Sequence, residues 1–138
     1  MTDLTAVAAA QSLPHVVAAL HAMMPAPLAL VCAGQQVAMV DSASGRTIAT
    51  HGVRLPASGG ADAVRIFVHH LLSDVQDLVT DHLRAPWPVA DGGAALSAWT
   101  ALDGATVRPG FARPGASEPA LALPVFALPS PSAVRSAG

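Results

Sequence analysis

The chain has 138 residues, of which 52% are hydrophobic and only 12% are charged, with a formal net charge of −2 at pH 7. This length predicts one domain with a core of its own. Lysine is absent, which excludes lysine Schiff bases and Ser–Lys dyads, and the seven scattered arginines form no basic patch of the kind that binds nucleic acid.

The N-terminal part suggests a protein of the cytoplasm. Residues 1–11 carry no positive charge, which a secretory signal would have. Cys32 is the single cysteine, so an intrachain disulfide and a cysteine-based zinc site are excluded. Residues 4–40 contain no charged side chain, but Pro25 and Pro27 interrupt them and no basic residue flanks them closely, so a buried core is favoured over a membrane span.

The first elements are predicted to be a tail, a short helix and a three-stranded meander. Residues 1–12 are rich in alanine and are expected to form a flexible tail. Ser12 is the expected N-cap of a helix over residues 14–24, with Pro14 in its first turn. Three strand-like runs follow, separated by turn-forming residues: Leu28–Ala33, Gln36–Asp41 and Arg46–His51.

Residues 61–83 have the clearest pattern in the chain. Apolar side chains recur at alternating spacings of four and three: Val64, Val68, Leu71, Val75 and Leu78. Asp62 lies in the first turn, His82 in the last, and Pro86 follows, as the helix dipole and helix ends favour. The pattern predicts a long amphipathic helix with one buried face.

The remaining elements complete an α+β fold. Asp103-Gly104 between two apolar runs predicts a hairpin, and residues 121–128 predict a last strand that is irregular or at an edge because of Pro124. We expect a single two-layer domain over residues 13–128, with an antiparallel sheet and the long helix packed across it. The Ser/Pro/Ala-rich residues 129–138 are expected to be a disordered tail.

Four polar side chains on one ridge of the long helix are candidate metal ligands: His70, Asp74, Asp77 and Asp81. Side chains from one helix rarely converge on a single ion, because successive turns are about 5.4 Å apart. A solvated face with ordinary surface pairs is therefore favoured. The chain also has no G-x-S-x-G elbow and no phosphate-loop pattern, so we assign no catalytic residue, metal or cofactor.

Two hydrophobic side chains are candidate interaction residues. Ile66 falls on the otherwise polar side of the long helix, which favours contact with a second chain or with the N-terminal segment. Trp87 lies between two prolines, where it can close the core at the end of the helix or, alternatively, serve as a binding anchor.

Two resemblances concern the second half of the chain. The run VQDLV at residues 75–79, PWP at 86–88, a hairpin and the run LALPVFALP resemble a group of small proteins from GC-rich actinobacteria and their mobile elements. That resemblance implies a shared core and no activity. A hairpin followed by a long helix and further strands is similar to the roadblock layout, whose homodimeric scaffolds contact small GTPases. The final helix of that layout is missing from the pattern, so the likeness concerns the fold alone.

These observations favour a non-catalytic interaction or assembly module that acts through a homodimer or a protein partner. The alternative is a small-molecule sensor with a pocket between sheet and helix. A metal-dependent or hydrolytic enzyme is the second alternative.

Overall fold

The structure describes residues 3–129, which form two helices and two antiparallel sheets. This arrangement confirms the predicted α+β class. The structure is a computed structural model. Its elements in chain order are α1 (Thr5–Ala22), β1 (Leu28–Ala33), β2 (Gln36–Asp41), β3 (Thr47–Gly52), α2 (Gly60–Leu83), β4 (Ser97–Asp103), β5 (Thr106–Ala112), β6 (Leu121–Ala122) and β7 (Phe126–Ala127).

The first sheet is the predicted meander, with β2 between β1 and β3. β1 and β2 have the predicted bounds and pair antiparallel across a turn at Gly34, whose φ of 61° favours glycine. β3 begins at Thr47, one residue later than predicted, and its register with β2 shifts after Met39. Val37 and Met39 are almost completely buried, so this face of the sheet covers the core.

The helix α1 begins earlier than the sequence predicted. We expected a flexible tail over residues 1–12 and an N-cap at Ser12, but α1 begins at Thr5 and Ser12 lies inside it. Four residues of this segment are buried: Thr5, Ala8, Ala9 and Ser12. The Thr5 Oγ1 accepts a hydrogen bond of 2.9 Å from the backbone N–H of Gly60, which joins the beginnings of the two helices. Ala8 and Ala9 belong to the hydrophobic core, and packing of this kind stabilises a helix that would fray in isolation.

The helix α2 buries the predicted stripe. Seven of its side chains are buried: Val64, Phe67, Val68, Leu71, Leu72, Val75 and Val79. Leu78, also predicted to be buried, is only half-buried. The helix ends where Arg84 adopts a left-handed conformation with φ of 57°, and its N–H donates to the carbonyl of Thr80 at 2.9 Å.

The second sheet is separate from the meander, whereas the sequence predicted one sheet. β4 and β5 form a hairpin around Gly104, whose φ is 63°, and β5 also pairs with β6 and β7. Pro124 lies between β6 and β7, so the last predicted strand is interrupted, as its proline indicated. α2 packs on β4 and β5, which confirms that the long helix lies on a sheet. The chain passes from β3 to β4 through α2, so no tight turn forces these two strands to pair.

Within the described residues, one cluster of buried hydrophobic side chains connects both helices and both sheets. The uncharged residues 4–40 contribute much of it through α1, β1 and β2. Between residues 3 and 129, no helix has both the length and the apolar character needed to cross a membrane. The tail predicted for residues 129–138 lies outside the described residues, apart from Pro129.

Candidate functional site

The four candidate metal ligands of α2 are divided between two grooves. His70 and Asp74 line a groove between α2 and residues 51–57, whereas Asp77 and Asp81 line another groove near the end of the helix. Nowhere in residues 3–129 do three His, Cys, Asp or Glu side chains come close enough to hold a metal ion. The helical rise separates these four side chains along α2.

Asp74 instead contacts a histidine of β3. Its Oδ2 lies 2.8 Å from the Nε2 of His51 in β3. A His–Asp pair can activate a nucleophile when a hydroxyl or thiol reaches the imidazole. In the part of the chain that the structure describes, Asp74 is the hydrogen-bonding partner of His51, and no Ser, Thr or Cys side chain bonds to either residue. The pair thus links β3 to α2 at the surface of the described fold.

The two candidate interaction residues differ in exposure. Ile66 is 41% exposed on α2 and lines the same groove as His70, so its contact with another chain stays a prediction. Trp87 is half-buried, with its ring centroid 6.0 Å from that of the fully buried Phe111 in an edge-on arrangement. This packing fits the interpretation of Trp87 as a side chain that closes the core.

The strand β4 has one edge without a partner strand. On its paired side, Thr100 lies opposite Pro109 of β5. Proline has no amide hydrogen, and the carbonyl of Pro109 accepts from the N–H of Leu123 at 3.0 Å, so the Thr100–Pro109 pair is not hydrogen-bonded. Alternation along the ladder then directs the backbone N–H and C=O groups of Ala98, Thr100 and Leu102 away from β5. Among residues 3–129 these groups have no backbone partner, and we call them the β4 edge.

The β4 edge lacks the features by which exposed strands usually avoid pairing. The strand is seven residues long, contains no lysine or proline, carries a charge only at its last residue, Asp103, and pairs with β5 without a register shift. The outer edge of β1 is different, because the N–H of Leu28 donates to the carbonyl of Pro25 and the N–H of Leu30 donates to the Nδ1 of His21. The β4 edge is therefore open to another strand. The sequence pattern was not recognised as an open edge, although the run SAWTALD, with its single charge at the last residue, was a usable signal.

Polar side chains of α2 hold the helix beside the β4 edge. The Nε2 of Gln76 donates to the carbonyl of Leu96 at 2.6 Å, and the Nδ1 of His69 lies 3.3 Å from the Oγ1 of Thr100. Burial lowers the pKa of His69 from its ordinary value of 6.5, and the neighbouring His70 and Arg65 lower it further. The surroundings of His69 on this flank of the helix therefore favour the neutral form of its imidazole.

Acidification is expected to destabilise the fold through His69. Because the folded state lowers the pKa of this imidazole, the unfolded chain binds the proton more readily. The contribution of His69 to stability is complete above pH 6.5, and it is lost as the pH falls from there through the lower folded pKa. Thermal melting at about pH 7.5 and about pH 5 should show a lower Tm in acid. The drop should be smaller in His69→Gln; an equal drop in both proteins would contradict the assignment.

Comparison with protein-family models, with curated proteins and with solved structures found no match to this chain. The β4 edge, the neutral flank of α2 beside it and the groove on the other flank are the features that bear on function.

Proposed function

We propose that the protein is a non-catalytic interaction module that self-associates through the β4 edge. The observation that carries this proposal is the set of three backbone N–H and three C=O groups that point away from β5 and have no backbone partner in residues 3–129. Backbone groups of this kind bind an added strand, and main-chain hydrogen bonds then supply the affinity.

A second copy of β4 fits this edge in antiparallel orientation. A two-fold axis at Thr100 pairs this residue with Thr100 of the second copy. The same axis pairs Ala98 with Leu102 of the second copy. Both are hydrogen-bonded pairs in this register, because all three residues direct their N–H and C=O groups to the edge. Every donor and acceptor of the edge is then used. Such a contact is isologous and closes at a dimer.

The side chains are compatible with the same register. Trp99 meets Ala101 of the second copy, and Ser97 meets Asp103, so no two like charges lie opposite each other. Thr100 meets a second Thr100, and threonine pairs are favourable across antiparallel strands. The strand is therefore complementary to itself in side chains as well as in backbone.

The adjacent flank of α2 also suits a second copy. Asp62 and Arg65 neutralise each other through an ion pair of 2.9 Å. The side chains beside β4 are His69 and Gln76, and both are uncharged when the imidazole of His69 is neutral. Around the helix Ile66 lies about 60° from His69, toward solvent. The exposed isoleucine is thus positioned to add apolar contact between two α2 helices.

Sedimentation equilibrium of the full chain tests the proposal. Between about 1 and 200 µM the mass should rise from 13.9 kDa toward twice that value, with a dissociation constant in the micromolar range. Ile66→Asp should keep the circular dichroism spectrum of the wild type and shift this rise to higher concentrations, because it adds a charge to the expected helix contact. A monomer at every concentration would contradict self-association and leave a strand of another protein as the occupant of the edge.

A further inference from the structure

The groove between α2 and residues 51–57 lies on the flank of α2 that faces away from the β4 edge. It is formed where the chain leaves β3 and runs beside the helix before α2 begins. Its volume is about 690 Å³, within the range of pockets that hold small ligands. The groove is lined by side chains of α2 and of residues 51–57.

The floor of this α2 groove is apolar. Phe67 and Leu71 of α2 are buried beneath it, and Val53 and Leu55 are half-buried along its other wall. The half-buried Val53 and Leu55 leave hydrophobic surface in the groove that an aliphatic or aromatic group can cover.

The rim of the groove carries an exposed arginine that can attract an anion. Asp74 is the one acidic residue among the described residues that line it, and its carboxylate is already 2.8 Å from the Nε2 of His51. Arg54 is exposed at the rim, and none of the ion pairs in residues 3–129 involves its guanidinium. His70 lies on the helix side of the same rim. An arginine without a carboxylate partner beside an apolar floor complements an anionic head group attached to an apolar tail.

We propose that the α2 groove binds a small monocarboxylate with an apolar tail, such as a medium-chain fatty acid. The tail covers the apolar surface of Val53 and Leu55 beside the buried Phe67, and the carboxylate accepts hydrogen bonds from the guanidinium of Arg54. This site lies on the flank of α2 that faces away from the β4 edge, and Ile66 is the side chain that it shares with the expected helix contact. The groove is formed within one chain, so binding does not require the dimer.

Isothermal titration of the full chain with octanoate tests this site, with octan-1-ol and octylammonium as probes that share the tail and lack the carboxylate. Octanoate should bind saturably and raise the Tm. Arg54→Ala should weaken octanoate binding about tenfold, as expected for the loss of a charge-assisted contact, and Arg54→Lys should restore part of it. Arg84→Ala is the matched control, because Arg84 is an exposed arginine on the other groove of α2 and should leave binding unchanged.

Three results would overturn the proposal. They are no octanoate binding at millimolar concentration, equal binding by wild type and Arg54→Ala, and equal binding of octanoate and octan-1-ol. Thr100→Pro, which the proposed β4 pairing predicts to be monomeric, should bind octanoate as the wild type does. Loss of octanoate binding in that variant, with its melting temperature unchanged, would show that the groove depends on the dimer and would contradict a site formed within one chain.

Discussion

Thr100→Pro is expected to convert the dimer to a monomer while the chain stays folded. Thr100 lies at the centre of the β4 edge, and its N–H points away from β5, so proline at this position removes no backbone hydrogen bond of the described fold, although it does remove the hydroxyl 3.3 Å from the Nδ1 of His69. It removes the two central hydrogen bonds of the pairing with a second copy, and its ring blocks close approach of that strand. We expect the dissociation constant to rise about 100-fold, as measured by sedimentation equilibrium.

Two matched variants separate the backbone effect from other effects of this substitution. Thr100→Val keeps the N–H and removes only the hydroxyl near His69, so it should leave most of the dimer intact. Ala101→Pro removes an N–H that bonds to β5, so it should lower the melting temperature, which Thr100→Pro should change little. A Thr100→Pro protein that is folded and still dimeric would place the interface elsewhere.

Val75→Asp is expected to unfold the domain. Val75 is completely buried on the face of α2 that packs on the core. The substitution removes a buried hydrocarbon side chain worth about 1.5–3 kcal/mol and places an unpaired carboxylate in its position, which costs several kcal/mol more. Together these terms lower the free energy of unfolding by about 5 kcal/mol or more, which is comparable to the whole stability of a small domain. Urea denaturation followed by far-UV circular dichroism measures the loss.

Ile66→Asp is the control for this prediction, because it introduces the same charge on the same helix at a side chain that is 41% exposed. It should change the free energy of unfolding by less than about 1 kcal/mol. If Val75→Asp kept the wild-type spectrum and denaturation midpoint, the buried face of α2 would be assigned incorrectly.

The sequence pattern predicted those helices and strands whose bounds depend on neighbouring residues in the chain. The bounds of β1 and β2 follow from turn residues on either side, and the period of apolar side chains identified α2. The start of α1 could not be found in this way, because alanine fits a frayed helix and a packed helix equally well. Ala8 and Ala9 are buried by contacts with residues distant in sequence, and those contacts are not encoded in the local pattern.

The candidate site was predicted only in part. Ile66 was identified because one apolar side chain on a polar helix face is visible in the sequence. The β4 edge was missed, because whether a strand has one neighbour or two depends on the pairing of the whole sheet. The order of strands also decides that Asp74 meets His51 of β3, which lies 23 residues earlier, so this pair could not be found from helical spacing.

Amide hydrogen exchange along β4 tests self-association most directly, because the strand contains its own control. The N–H groups of Trp99 and Ala101 bond to β5 and should exchange slowly at every protein concentration. The N–H groups of Ala98, Thr100 and Leu102 should exchange fast in dilute protein and become protected as the concentration rises through the dissociation constant. Fast exchange of these three amides at all concentrations, with Trp99 and Ala101 protected throughout, would contradict pairing of the β4 edge with a second copy.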